Sequence, residues 1–205
     1  MALVLTLPAA AVIVDRIAIA AGNRVITDSE IDLRIRLTAF QNGEKPVFSL
    51  DVRKKAAQLL IDQKLVEREM DVGHYPRLSE DARKQLVADY AKTNYKSDPK
   101  ALQPVLAEYG LTVGDLEDDL ARQSDLLTFL SLRFRPAIQV SDQDVQQYVE
   151  KQPRPQGGNS DLALNLRARI EQRITDDRAD ADMNAWIKDQ RLRTKIEYLE
   201  KELAP

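Results

Sequence analysis

Imidazole chemistry in this chain rests on one residue: His74 is its single histidine, and cysteine is absent. A thiolate nucleophile, a disulfide, a Cys/His dyad, a two-histidine metal site and most zinc patterns are thereby excluded within one chain. His74 lies in Asp71-Val72-Gly73-His74-Tyr75-Pro76, where a solvated histidine at a helix C-terminus is the plain reading. The acidic runs Glu117-Asp118-Asp119 and Asp176-Asp177 have the composition for acid–base catalysis or a cation site. The same runs far more often form a solvated helix face or an acidic first turn. No G-x-x-x-x-G-K-[ST] loop is present to cradle a nucleotide. The expectation is a protein without catalytic residues, cofactor or metal.

Apolar surface is the remaining resource. Leu126, Leu127, Phe129, Leu130, Leu132 and Phe134 surround one half of an expected helix. They read either as a binding surface or as a central helix buried on all sides. Tyr90, Tyr95 and Tyr109 read either as rims of such a surface or as ordinary half-buried positions. The candidate binding residues are therefore Leu126, Phe129, Leu132, Phe134, Tyr90, Tyr95 and Tyr109. A net charge of -3 lacks the basic footprint that a phosphate backbone requires, which disfavours nucleic acid. With 205 residues, 43% hydrophobic and 31% charged, and with few glycines, the chain suits one or two helix-prone domains with a real core.

The elements that must position these residues follow from local signals. Ala2-Leu3-Val4-Leu5-Thr6-Leu7-Pro8 followed by Ala9-Ala10-Ala11 matches the end of a signal-peptide apolar region with an A-x-A cleavage site, so residues 1–11 are expected to be a leader remnant and the protein exported. No basic residue precedes the run, which puts the expected start of the leader upstream of Met1. From Val14, Ile17, Ile19 and Ala21 alternate with Ala18 and Ala20, Gly22-Asn23 interrupts, and Arg24-Val25-Ile26 resumes: a small β-hairpin. Thr27 with Glu30 three residues on is a capping box, opening a helix that ends at Asn42-Gly43. Ser49 caps a long second helix that Gly73 and Pro76 end. Ser79 opens a third, Asp98-Pro99 a fourth that runs to Gly110, and Thr112 with Asp115 a fifth whose main stripe is Leu116, Leu120, Gln123, Leu127, Leu130 and Phe134. Arg135-Pro136 stops it, and Ser141-Asp142-Gln143-Asp144 starts a short sixth. Gln152 to Ser160, rich in Pro and Gly, is a linker. Beyond it Leu162, Leu166 and Ile170 fall at four-residue steps, Thr175-Asp176-Asp177 reads as a new cap, and a helix continues to about Arg193. Ile196 and Tyr198 alternate with Lys195 and Glu197, as in a strand. The fold class expected is mainly α, a multi-helix bundle with a small hairpin near the N-terminus joined by a C-terminal strand.

Several of these segments resemble the SurA family. Val14-Asp15-Arg16-Ile17-Ala18-Ile19-Ala20 through Val25-Ile26-Thr27-Asp28-Ser29-Glu30-Ile31 is similar to that family's V-D-x-[IV]-x-A hairpin running into an I-T-x-S-E-[LI] helix start. Leu59-Leu60-Ile61-Asp62-Gln63-Lys64-Leu65 resembles its L-I-x-x-x-L helix, Ser141-Asp142-Gln143-Asp144-Val145 its S-D-x-[DE]-V segment, and Ala185-Trp186-Ile187-Lys188-Asp189-Gln190-Arg191 its W-[MI]-x-x-[QL]-R helix. The middle departs: where that family carries parvulin isomerase domains, only the linker and one helix stand here, and a domain needs about 50 residues or more. Parvulin sites also use paired histidines, which His74 cannot supply. A further departure is Ala21-Gly22, where the family more often has Val directly before Asn.

The resemblance implies residues 12–151 as a SurA-like N-terminal chaperone region, 152–160 as a linker in place of the parvulin domain, and 161–205 as helices and a strand completing the same domain. It implies an ATP-independent periplasmic chaperone for unfolded polypeptides, chiefly outer-membrane β-barrel proteins. Stable membrane insertion is not expected. A non-catalytic cell-envelope adaptor is the alternative, and a prolyl isomerase is disfavoured. If the short linker prevents one chain from closing its own sheet, two chains would exchange these elements as a domain-swapped homodimer.

Overall fold

Thr27 is the hinge between sheet and helices in the computed structural model, which describes residues 15–95, 99–151 and 160–205. The leader-like residues 1–11 and all but the last residue of the proposed linker lie outside the described residues. Strands β1 (Ile17–Ala21) and β2 (Arg24–Thr27) form the hairpin. Gly22 takes φ 61°, a positive φ at the first position of a two-residue loop, which is the requirement of a II′ turn. The pairs are Ala21 with Arg24, Ala20 with Val25, Ile19 with Ile26 and Ile17 with Thr27, with a bulge between Ile17 and Ile19. That bulge corrects the expected strict alternation: Ala18 and Ile19 are both buried, and Ile17 turns outward, because the extra residue shifts the pleat.

The strand β3 (Ile196–Tyr198) pairs antiparallel with the other edge of β1, Ile196 opposite Ala21 and Tyr198 opposite Ile19. The order β2-β1-β3 puts both ends of the described chain in one sheet. Within one polypeptide the C-terminal strand and the N-terminal hairpin form this sheet. Leu203, fully buried, follows in a single 3-10 turn and packs with Ala18, Ile19, Ile26, Ile31, Ile61 and Leu65.

Seven helices account for most of the described residues. The first, α1 (Asp28–Asn42), starts at the expected capping box: Glu30 N–H donates to Thr27 Oγ1 at 3.3 Å and Thr27 N–H to Glu30 Oε2 at 2.9 Å. Gly43 ends it in the left-handed region at φ 68°. Next, α2 (Leu50–Val72) is capped by Ser49. At its end His74, exposed, holds φ 51°, while Tyr75 N–H reaches back to Met70 O at 2.9 Å, the long bond of a Schellman motif. Gly73 serves close approach instead, since a Cβ there would meet the Tyr75 ring at 2.5 Å. Then come α3 (Glu80–Asn94), α4 (Pro99–Glu108), α5 (Val113–Arg133) and α6 (Asp142–Glu150), the last two opening on capping boxes at Thr112/Asp115 and Ser141/Asp144.

The last helix, α7 (Ser160–Arg193), is continuous, which corrects the new cap expected at Thr175. Thr175 Oγ1 donates to Glu171 O at 2.8 Å, one turn back, and Gln172 donates to Asp176 at 2.9 Å. These bonds serve the side chains inside a running helix, so none is left to cap a new one. Along its length α7 contributes Ile170 and Ile174 to a small core with Val145 of α6, then Ala179 and Met183 to a core with Val66, Met70, Phe129, Leu130 and Phe134. Among the described residues no helix is long and apolar enough to cross a membrane.

Candidate functional site

The seven residues singled out in the sequence fall in three places. Tyr90, Tyr95 and Tyr109 surround Phe40, with ring centroids 6.1, 6.5 and 5.5 Å from it, in the core that joins α1, α3, α4 and α5. Burial pushes the Tyr90 and Tyr95 hydroxyls up from their ordinary pKa. Phe129, 0% exposed, and Phe134 are core as well; Phe129 packs on Tyr75, Phe134 and Trp186 at 5.0, 5.8 and 5.5 Å. Arg133 closes that cluster, its guanidinium 5.4 Å from the Trp186 ring and its charge paired to Glu69 at 2.8 Å. Leu132 is 52% exposed and Leu126 37%. The six residues of the girdle therefore split: Phe129, Leu130 and Phe134 are inside, whereas Leu126, Leu127 and Leu132 face solvent. Leu127, expected on the main stripe, is 66% exposed, because burial in α5 favours Leu116, Ala121, Phe129 and Leu130 instead.

Of the seven, Leu126 lines a cleft of ≈ 360 Å³ walled by α1, α2, α5 and α7. Its apolar floor is Leu59, Val66, Met70, Leu126, Met183 and Ile187. The chain has three methionines, and both of those after Met1 are here. Thioether side chains are unbranched and adapt to differently shaped apolar partners. Leu59 is 58% exposed at the cleft. Leu59, Val66 and Met70 all fall in the long second helix expected from the sequence, but the cleft is not legible there, because it needs the approach of α7 from more than a hundred residues away.

The polar wall of the cleft includes Asp119. Asp119, expected on a solvated acidic face, is 0% exposed. Its Oδ2 accepts from Gln41 Nε2 and from Gln123 Nε2, both at 2.8 Å. Its Oδ1 lies 2.8 Å from Arg34 Nη2, in ionic contact but off the direction of a hydrogen bond. Glu117 and Asp118 behave as expected, pairing with Arg83 at the surface. The physical reason is position: Asp119 falls one turn after the buried Leu116, on the inward face, and a carboxylate there is tolerable only with a cation and hydrogen bonds around it.

Each remaining carboxylate of the cleft also has a partner. Asp62 pairs with Arg191 at 2.5 Å, Asp125 with Arg77 at 3.2 Å, and Glu67 accepts from Gln63 at 2.8 Å. Among the described residues no group of three or more His, Cys, Asp or Glu side chains is arranged to hold a metal. The arrangement offers an apolar floor, a charged and largely self-paired rim, and entry from solvent, which suits reversible contact with an apolar chain segment. No protein-family model matches this chain, and no curated protein matches it.

Proposed function

We propose that this protein is an ATP-independent periplasmic chaperone of SurA-like type that holds unfolded polypeptides, chiefly outer-membrane β-barrel proteins, and catalyses no covalent reaction. The observation that carries the reading is the cleft, in which the half-exposed Leu59 and Leu126 open over the buried Met70 and Met183. The SurA-like segments and the leader-like start of the chain support it. Barrel strands present alternating apolar residues along their length, and apolar burial contributes roughly 25 cal/mol per Å². Ordering a flexible client offsets most of that gain. Affinities are therefore expected in the micromolar range, about -8 kcal/mol, with preference for aromatic-rich extended segments and little dependence on salt. Weak binding suits a holder that has no energy source with which to force release.

The test dilutes an unfolded barrel protein from urea with and without a molar excess of this protein and follows light scattering. Suppression across several unrelated barrel clients is the expected result; unchanged aggregation with all of them would overturn the proposal. One tight partner without general suppression would point to the cell-envelope adaptor. The same preparation is expected to leave X-Pro isomerisation at its uncatalysed rate, slow enough at tens to hundreds of seconds for turnover to be plain.

A further inference from the structure

Arg122 is the most loosely held cation of the cleft wall. Among the described residues its one ionic contact is Asp119, whose Oδ1 is 3.6 Å away, too long for a hydrogen bond. Its Nε is buried without a hydrogen-bond partner. Asp119 is held more closely by Arg34, Gln41 and Gln123, and Asp62, Glu67 and Asp125 are engaged elsewhere. A guanidinium with its fork of donors left over, partly desolvated and beside an apolar floor, is matched by a carboxylate.

We propose that Arg122 seats the free C-terminal carboxylate of a client whose last side chain is apolar, that side chain lying against Leu59, Leu126 and Ile187. The proposal rests on the reading of the cleft as the holding site and names what it holds. A volume of ≈ 360 Å³ is near the lower end of the range for ligand pockets; it takes the end of a chain and leaves the rest of an extended segment outside. A terminal residue carries its carboxylate and its side chain on the same Cα, so it brings both groups into so small a space. An internal Asp or Glu brings the anion without the apolar group.

The experiment uses the full chain and two short labelled peptides of one sequence ending in Leu-Phe, one with a free carboxylate and one with a terminal amide, followed by fluorescence anisotropy. The acid is expected to bind at least about tenfold more tightly than the amide, as a charge-assisted bidentate contact implies. In Arg122→Gln the ratio falls to about one, chiefly through weaker binding of the acid. Added salt should shrink the ratio and leave the amide alone, since only the carboxylate contact is ionic. Equal binding of acid and amide overturns the seat and leaves the cleft reading standing. If neither peptide binds while barrel aggregation is still suppressed, the seat falls and holding belongs to another surface. If aggregation is not suppressed either, both readings fall. Arg122-dependent binding of dodecanoate, with neither peptide bound, overturns the peptide in favour of a lipid carboxylate. The comparison of acid with amide on the unaltered protein holds whatever the substitution does to folding.

Discussion

The helix α2 walls two regions that differ in what their side chains allow. Toward the sheet it presents Ala56, Ala57, Leu60, Ile61 and Leu65, packed against Ala18, Ile19, Ile26, Ile31 and Leu203. Toward the cleft it presents Leu59, Val66 and Met70, opposite Leu126 and Met183. The first set is small or branched, with few rotamers and little room to adjust. In the second, Leu59 and Leu126 keep contact with water over flexible thioethers buried beneath them. One helix thus supplies both a sealed joint, where the two ends of the chain meet, and an adaptable surface. The seal lets the opposite face stay open: bringing β3 and Leu203 home anchors α7, and α7 is the fourth wall of the cleft.

The largest effect tests whether the cleft wall is as firmly built as the seal. Asp119→Asn is expected to cost about 3–5 kcal/mol, the penalty for leaving a buried partner charge, here Arg34, uncompensated. Urea unfolding with an unchanged slope would report it. A loss under about 1 kcal/mol would mean that water reaches the pair and that the wall is not a dry one. Slightly smaller is the effect at the seal. Leu203→Ala should cost roughly 3 kcal/mol, since a buried leucine leaves a cavity that an inflexible neighbourhood fills poorly. It should leave client holding intact at temperatures where the variant is folded. Lost holding with an unchanged unfolding midpoint would reverse the roles given to the two regions.

Where the comparison was visible in the amino acids, the signal was local. Thr27 with Glu30, Thr112 with Asp115 and Ser141 with Asp144 start their helices as read, because a cap is decided within four residues. The alternation of Ile196 and Tyr198 marked β3, and its pairing with the hairpin followed from how marginal two strands are alone. What was hidden depends on neighbours far along the chain. Leu127 and Leu130 look equivalent in an apolar run, and only the side on which α2 and α7 arrive decides that one is inside. Asp119 was masked by Glu117 and Asp118, though its place one turn after Leu116 was a usable sign of a paired buried carboxylate. Thr175 misled because a hydroxyl that can cap can equally bond to the carbonyl one turn back.

A smaller effect separates the regions by function. Leu126→Asp puts a charge on the half-exposed floor of the cleft, where the folded state loses little, so stability should shift by no more than about 0.5 kcal/mol. Client affinity should fall roughly tenfold, the loss of about 1.4 kcal/mol expected when one apolar contact is removed. Unaltered suppression of aggregation by this variant would move the holding surface away from the cleft.

The smallest effect concerns the joint between α6 and α7, which has neither the depth of the seal nor the openness of the cleft. Its apolar core is Val145, Ile170 and Ile174, and charged contacts fasten it: Arg178 donates to Asp144 at 2.5 Å and to Gln139 O at 2.7 Å, and Arg167 pairs with Asp142. The Arg178 guanidinium first, then the Ser141 N–H and hydroxyl, hold the Asp144 carboxyl well below the usual carboxylate range. A carboxyl that is more acidic folded than unfolded contributes stability that is fully present above its unfolded pKa, about 3.9. That contribution is lost as pH falls from there through the folded value. Acidification from pH 5 toward pH 2 should therefore loosen α6 before it loosens the sheet, whose central contacts among Ile19, Ile26 and Leu203 do not titrate. Amide hydrogen exchange is the measurement: amides of residues 145–150 should lose protection at a higher pH than those of Ile19 and Ala20, once the intrinsic pH dependence of exchange is divided out. Asp144→Asn, which keeps an acceptor but cannot ionise, should flatten the response of α6 alone. Loss of protection in the sheet and in α6 at the same pH would show that the two joints open as one unit, and that the charged contacts of α6 are not what sets its acid limit.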